Sequence, residues 1–480
     1  MKMMAPAAPG RVQPGKGRGW LRWISFVLAI YCAGCAVGPD YHRPAVNTPP
    51  VFRGPVETST NSIADLPWPT VFPDETLQNL VRIALTNNYD LRIAFARVEQ
   101  ARAMVAEARA GFFPPVNYAG LAGRGKNVGT DHVLSPTGVT GGAFGADVNA
   151  SWEIDLWGHV RRLTESARAQ YFASEEARHD VLSALVAQVA QAYYQLLGTQ
   201  RALEIANDTT NSYGQSLKIF SQRLQGGVAS KLETSSAEAL MDSAAATIPA
   251  LELQRAMLED QISVLLGQNP GPVSTGGFKL EGESLSELPA GLPSTLLERR
   301  PDIRVAEQQL RSANAQVGVA KANFFPQLTL TGLFGKVSPE LSAFTAGGST
   351  AWSVGAGLTG PIFEGGLLRA QYKEAKAARE QVALQYQAAV LNALQQVSDA
   401  LISREKLAAV QAEQRRAVDA YQEAVKIAME RYKLGNASYY EVLQEQQLLF
   451  PAEDSLEQTQ LNQLLTIVQL YRALGGGWKN

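Results

Sequence analysis

From Gly158 to Gln225 the chain runs 68 residues without a proline, and its apolar positions return every three or four residues, as in Leu182, Leu185, Val189, Ala192 and Leu196. That alternation is the seam of a helix packed lengthwise on other helices. At about 1.5 Å per residue such a helix reaches roughly 100 Å, about three times the hydrocarbon thickness of a bilayer. Arg, Glu, Asp and Gln recur along it, so it does not lie inside lipid. A second run of the same kind spans 366–433, with Val418, Tyr421, Val425, Ala428 and Tyr432 at heptad spacing.

Elsewhere the period drops to two. In 144–155, Phe144, Ala146, Val148, Ala150, Trp152 and Ile154 alternate with Gly145, Asp147, Asn149, Ser151, Glu153 and Asp155. In 352–362, Trp352, Val354, Ala356, Leu358 and Ile362 alternate with small or polar residues; 327–334 follows suit, and 116–124 does so more weakly. Runs of about ten alternating residues with terminal aromatics fit a transmembrane β-barrel strand, although a half-buried sheet of a soluble domain alternates in the same way.

The chain is written twice. Asn88-Tyr89-Asp90-Leu91-Arg92 returns as Arg300-Pro301-Asp302-Ile303-Arg304, and Gly111-Phe112-Phe113-Pro114 as Asn323-Phe324-Phe325-Pro326, both 212 residues on. From Ile154 the offset becomes 208: Arg223 and Gly227 match Arg431 and Gly435, and Leu265-Leu266-Gly267 matches Ala473-Leu474-Gly475. Each copy reads as helix, two strands, long helix, turn and returning helix. The first helices cover about 75–110 and 296–322, each ending at Phe-Phe-Pro; the returning helices cover 231–266 and 439–474, kinked at Pro249 and Pro451. Four strands cannot close a barrel, and open edges are not tolerated in lipid. Two copies would give eight strands and no lumen; three give twelve and a lumen, so a cyclic oligomer, preferably a trimer, is expected.

The N-terminus changes the picture further. Arg11, Lys16, Arg18 and Arg22 precede a short apolar core from Trp23 to Tyr31, followed by Cys32-Ala33-Gly34-Cys35. Residues 1–34 read as an export signal cleaved between Gly34 and Cys35. The run resembles a bacterial lipobox, with Cys35 as the lipidated first residue, although Cys32 stands where lipoboxes carry Leu. An ordinary signal peptide cut nearby is the alternative. Residues 35–73 are rich in Pro, Thr, Asn and Ser and read as an extended tether. The two cysteines lie at positions 32 and 35, so no disulfide framework holds the body. The net charge of −2 on 480 residues gives no reason to expect a nucleic-acid partner.

At this point the chain resembles the outer membrane factors typified by TolC, and within them the NodT-like lipoproteins of resistance-nodulation-division efflux systems. The residues that carry the resemblance are Cys35-Ala-Val-Gly-Pro-Asp-Tyr41 with Pro44, Trp152-Glu-Ile-Asp-Leu-Trp-Gly158, Pro361-Ile-Phe-Glu-Gly-Gly366 and Leu470-Tyr-Arg-Ala-Leu-Gly-Gly-Gly-Trp478. The twin Arg…Gly…Ala-Ser turns complete them. The resemblance implies a mainly α fold with a membrane β-barrel: a TolC-like homotrimer with four strands per chain in a twelve-stranded barrel, a twelve-helix periplasmic tunnel and an equatorial domain. Domains follow as 74–274 for repeat 1, 275–293 for an equatorial linker and 294–480 for repeat 2.

Candidate sites are mechanical. Gly226, Gly227, Val228, Ala229 and Ser230, and Gly435, Asn436, Ala437 and Ser438, reverse the long helices: Gly or Asn permits a left-handed cap, and Ser230 and Ser438 suit N-caps. The resemblance implies that these turns dock a periplasmic adaptor. It also implies a gate near the end of the second long helix, where Asp419, Glu423, Lys426, Glu430 and Tyr432 are candidates; solvated or interhelical ion pairs are the alternative for most of them. Asp147, Glu153 and Asp155 share the polar strand face and would line an acidic lumen, which favours cations. The aromatics Phe112, Phe113, Phe324, Phe325, Trp152 and Trp352 suit either interfacial anchors or packing where strands meet helices. His42, His132, His159 and His179 are scattered, and no catalytic constellation, metal set or cofactor motif is present beyond the covalent lipid on Cys35. The expected function is the passive outer membrane exit duct of a tripartite efflux pump in a Gram-negative bacterium, served by an adaptor and an inner-membrane transporter. The duct of a type I protein-secretion system, and a lipid-anchored coiled-coil adaptor of the periplasm, are the competing readings.

Overall fold

The computed structural model describes residues 36–53, 62–126, 140–276, 290–291, 293–345 and 347–478. Gly34 and Cys35, with the signal and lipidation expectations placed on them, lie outside the described residues, as does most of the 275–293 linker. The chain divides into two compact units: Met1–His42, Ala103–Ala169 and Arg311–Glu380 form one, and Arg43–Arg102, Gln170–Leu310 and Gln381–Asn480 the other.

The first unit holds one antiparallel sheet in the order β1 (Val116–Lys126), β2 (Thr140–Ile154), β3 (Gln327–Ser338), β4 (Thr350–Thr359). β1 and β4 are its edges, and among the described residues neither has a partner strand on its outer side. The register keeps even-numbered residues together on one face. Tyr118, Val148, Phe334 and Trp352 form a continuous rung across all four strands, and this rung is largely exposed, Tyr118 at 90% and Trp352 at 73%. Among the described residues no helix is long and apolar enough to cross a membrane. This sheet face is the extended apolar surface of the unit.

In the second unit the periodic runs form helices. We number the helices α1 (Trp68–Val71), α2 (Glu75–Asn87), α3 (Tyr89–Ala110), α4 (His159–Gln225), α5 (Lys231–Ala245), α6 (Thr247–Leu265), α7 (Leu296–Arg299), α8 (Pro301–Ala322), α9 (Leu367–Lys433) and α10 (Tyr439–Ala473); some extend into the sheet unit. The two long helices have 67 residues each. Of the seam residues, Leu182, Tyr421 and Val425 are half-buried and the others buried, and Leu185, Val189 and Leu196 of α4 share one core with Phe72, Leu77, Tyr193, Tyr386, Val397 and Leu470.

Three helices differ from the expected spans. The first helix of each repeat is broken, because Asn88 and Arg300 adopt non-helical backbone. Asn88 then caps α3, its Oδ1 accepting from Leu91 N at 3.0 Å. The returning helix of repeat 1 breaks at Ala246, which places Pro249 in the first turn of α6, where its missing N–H is no loss. Pro451, by contrast, lies inside the continuous α10.

The repeated Asn88 and Arg300 motifs close each repeat in the same way. Asn88 Nδ2 donates to Leu265 O at 3.0 Å and Arg300 Nη1 to Ala473 O at 2.9 Å, so the start of the first helix holds the end of the returning one. Residues 36–53, part of the stretch expected as an extended tether, are strapped to the body. In the sheet unit Asp40 pairs with Arg162 at 3.0 Å and Pro39 O accepts from Asn314 Nδ2 at 2.9 Å. In the helical unit Arg43 Nε donates to Glu307 at 3.0 Å and Phe52 is buried. Sequence periodicity missed this strap because its contacts are single polar pairs.

Candidate functional site

The turn after α4 is a Schellman cap: Val228 N donates to Arg223 O at 3.0 Å and Gly227 N to Leu224 O at 2.9 Å, with Gly227 at φ +75°. The turn after α9 repeats it, with Asn436 N to Arg431 O at 2.9 Å, Gly435 N to Tyr432 O at 3.0 Å and Gly435 at φ +77°. The left-handed residues are therefore Gly227 and Gly435, while Gly226 is the residue before one. Ser230 Oγ accepts from Glu233 N at 3.4 Å at the start of α5, and Glu441 Oε1 accepts from Ser438 N at 3.3 Å at the start of α10. Arg431 spans the second turn, bonding Glu441 at 3.1 Å and Asn436 O at 3.3 Å.

Sequence reasoning missed what joins the two hairpins. Phe220 of α4 meets Tyr432 and Tyr439 edge-on, with centroids 5.5 and 4.0 Å apart, and the Arg223 guanidinium lies 4.4 Å from the Tyr432 ring centroid. Val442 and Leu443 complete this cluster. Burial pushes the Tyr439 hydroxyl up to about 12, and its oxygen has no hydrogen-bond partner. Above the caps, Val228 and Leu232 in one hairpin and Leu434 and Tyr440 in the other are more than 70% exposed. Leu232 and Tyr440 occupy equivalent repeat positions, a signal that the 208-residue offset held but that single-turn inspection passed over.

Of the gate candidates, Asp419, Glu423, Lys426 and Glu430 are exposed on α9, and Glu423 pairs with Lys426 at 3.5 Å. Tyr432 stands apart from these four, buried in the aromatic cluster.

In the sheet unit, Asp147 and Glu153 lie on β2 on the face opposite the aromatic rung. Asp147 accepts from Asn149 Nδ2 at 2.9 Å, and Glu153 sits 3.9 Å from His159 Nδ1. Asp155 requires a correction. β2 ends at Ile154, and the Asp155 carboxylate accepts from Val160 N at 3.2 Å and Arg161 N at 2.9 Å, with the Arg161 side chain at 3.1 Å. Its side chain is only 10% exposed. It caps α4, because the strand's alternation ends one residue before it and a helix N-terminus attracts a carboxylate. Phe325 stacks on Trp157 at 4.8 Å, whereas Trp352 lies on the exposed apolar face of the sheet.

A sheet whose edges are open among the described residues and whose aromatic face is exposed, in a chain whose capped helical hairpins carry exposed apolar residues at their turns, is the arrangement of a channel-wall protein. The chain belongs to the outer membrane efflux protein family, whose profile matches residues 80–268 and 292–476, one segment per repeat. It is similar to the toluene efflux pump outer membrane protein TtgC of Pseudomonas putida, with 35% identity over 460 residues and 94% of each chain covered. It is also similar to the outer membrane protein OprJ of Pseudomonas aeruginosa, with 33% identity and 95% of each covered. Among solved structures, the open-state MtrE outer membrane channel of Neisseria gonorrhoeae matches with a TM-score of 0.83 and 30% identity, over 93% of this chain and 99% of that one. The protein is an outer membrane efflux channel.

Proposed function

We propose that three copies of this chain close a twelve-stranded barrel in the outer membrane and a twelve-helix periplasmic duct. The duct is passive: it makes no bonds and breaks none, and it holds no metal or cofactor. An inner-membrane transporter supplies the energy and the cargo, and an adaptor docks at the turns around Gly227 and Gly435. Asp419, Glu423, Lys426, Glu430 and Tyr432 are the candidates for the gate, and Cys35 carries the lipid that anchors the chain. The cargo is small molecules, with apolar solvents the first class to try because TtgC is named for toluene efflux. One observation carries the reading: β1 and β4 are unpaired edges of a sheet whose aromatic face is exposed, and a bilayer admits that surface only in a closed barrel.

The test is extraction of the full chain from outer membranes in detergent, followed by light scattering and planar-bilayer recording. Trimers that conduct ions are expected, together with greater solvent and antibiotic susceptibility in a strain lacking the protein. A monomer without conductance refutes the reading.

A further inference from the structure

Within the sheet unit all four strands meet helices at one end of the sheet. Val116 pairs with Ala150, Ile154 with Leu328 and Gln327 with Thr359 at that end. There α3 and α8 stop and α4 and α9 start, each within eight residues of its strand. These helix ends lie side by side. Thr164 Oγ1 of α4 donates to Ala108 O of α3 at 3.4 Å, Ser166 Oγ meets Ser312 Oγ of α8 at 2.8 Å, and Arg379 Nε of α9 donates to Asn314 Oδ1 of α8 at 3.0 Å.

On α4, Thr164 and Ser166 turn to opposite neighbours, so Arg161, Glu165 and Arg168, at i, i+4 and i+7, share a face between the two. The strap marks that face as the outer one. Arg162 holds Glu165 at 2.7 Å and Asp40 of the strap at 3.0 Å, and a lipid on Cys35, at the head of the strap, reaches the bilayer from outside the duct. By the 208-residue offset Arg369, Lys373 and Lys376 take on α9 the places of Arg161, Glu165 and Arg168. The second repeat therefore presents three cations on the equivalent face.

The charge is concentrated here. The helical stretches 103–110, 159–169, 311–322 and 367–380 carry ten Lys and Arg against four Glu, in a chain whose net charge is −2. Asp155 and Asp40, from the connecting segments, neutralise Arg161 and Arg162. Arg168, Arg369, Lys373 and Lys376 are exposed and have no ion pair among the described residues. From Arg369 to Lys376 the helix rises roughly 10 Å, about the depth of one headgroup layer with the reach of a long cationic side chain. Aromatic rings stand beside these cations: Lys376 Nζ lies 5.4 Å from the Tyr372 ring centroid, Phe324 meets that ring edge-on, and Phe113 and Phe363 are exposed in the connecting segments. Rings and cations at the end of an apolar wall suit a membrane interface.

We propose that these helix ends form a basic collar that binds the phosphates of anionic phospholipids in the periplasmic leaflet of the outer membrane. Charge selects the occupant, because unpaired cations gain against a lipid of net negative charge and little against a zwitterionic one. Continuity with the exposed apolar sheet favours a lipid over an acidic protein. This rests on the barrel reading above and adds the headgroup that the barrel selects.

The test is the full-length trimer equilibrated in detergent with equimolar phosphatidylglycerol and phosphatidylcholine, with the retained lipid counted by mass spectrometry. The parent is expected to retain phosphatidylglycerol in excess by at least roughly fivefold, the effect of one cation at an anionic surface. The variant with Arg168→Gln, Arg369→Gln, Lys373→Gln and Lys376→Gln should retain both lipids alike while staying trimeric and conducting. The charge-preserving pair Arg168→Lys with Arg369→Lys should keep the excess. Lys406→Gln with Arg416→Gln, which removes two exposed cations of the helical unit, should also keep it; loss there would mean that net charge alone acts and would overturn the collar. Glycerol phosphate at matched concentration should not displace the lipid, and full displacement overturns the membrane assignment. Conducting trimers of the parent with no excess overturn the collar and leave the barrel standing; monomers without conductance overturn both.

Discussion

Gly435→Val isolates the contribution of one hairpin turn. At Gly435 φ is +77° and an added Cβ meets nothing within 4 Å, so the penalty is torsional and not steric crowding by neighbours. An L-residue in that region is disfavoured by roughly 1–2 kcal/mol, and a β-branched one by more. The two cap bonds that the conformation supports, Asn436 N to Arg431 O and Gly435 N to Tyr432 O, are together worth about 1–3 kcal/mol net. Strain and bonds are of equal size, so the turn rearranges and the Arg431–Glu441 pair across it is lost. The main core around Tyr193, Leu196 and Val397 does not include this turn, so the expected protein is folded, trimeric and unable to export. Solvent and antibiotic susceptibility should approach that of a strain lacking the protein, while detergent-resistant trimers persist at the parent level. Gly435→Asn is the graded control, because Asn tolerates the left-handed region and should keep most export. Full resistance with Gly435→Val, or equal loss with Asn and Val, refutes the reasoning.

Asp155→Ala removes a helix cap and leaves Arg161 without its carboxylate, so a loss of about 1–2 kcal/mol is expected as a lower thermal midpoint; an unchanged midpoint rules the cap out. Asp147→Asn with Glu153→Gln should shift the bilayer reversal potential away from cation preference, and a parent channel that already prefers anions ends the acidic-lumen reading. Because the folded-state Tyr439 hydroxyl is raised to about 12 from an ordinary 10, the hairpin cluster keeps its full stability below pH 10 and loses it as pH rises toward 12. Tyr439→Phe should flatten that alkaline loss, measured by circular dichroism across the range; an equally steep loss counts against it. Mass spectrometry of the mature N-terminus should find an acylated Cys35, and an unmodified peptide running through Gly34-Cys35 excludes the anchor.

The backbone plan was legible wherever a period ran long enough. The long helices begin and end within one residue of their apolar runs, and four strands form at the four alternating runs, although the last ends at Thr359 and leaves Ile362 outside it. The break at Arg300 was marked by Pro301, which disfavours helical backbone in the residue before it, but the break at Asn88 was not legible, because its side chain bonds Leu265, 177 positions away. The strap stayed hidden for the same reason: Arg43 reaches Glu307 across 264 residues and no local pattern marks the pair. Asp155 was misplaced because alternation counts positions and does not see that the strand has given way to a helix N-terminus.

The duplication also shows where matching positions stop meaning matching roles. Arg223 and Arg431 are equivalent by offset and stand at the same place in their caps, yet Arg431 binds Glu441 of its own hairpin while Arg223 lies over Tyr432 of the other. By the offset the counterpart of Tyr432 is Leu224, so the ring that the Arg223 guanidinium lies over has no equivalent in the first hairpin for Arg431 to use. An aliphatic pair would bury comparable area but leave Arg223 without its ring. Phe220 and Arg223 of the first hairpin and Tyr432 and Tyr439 of the second therefore share one cluster, and the two hairpins of a chain meet through it.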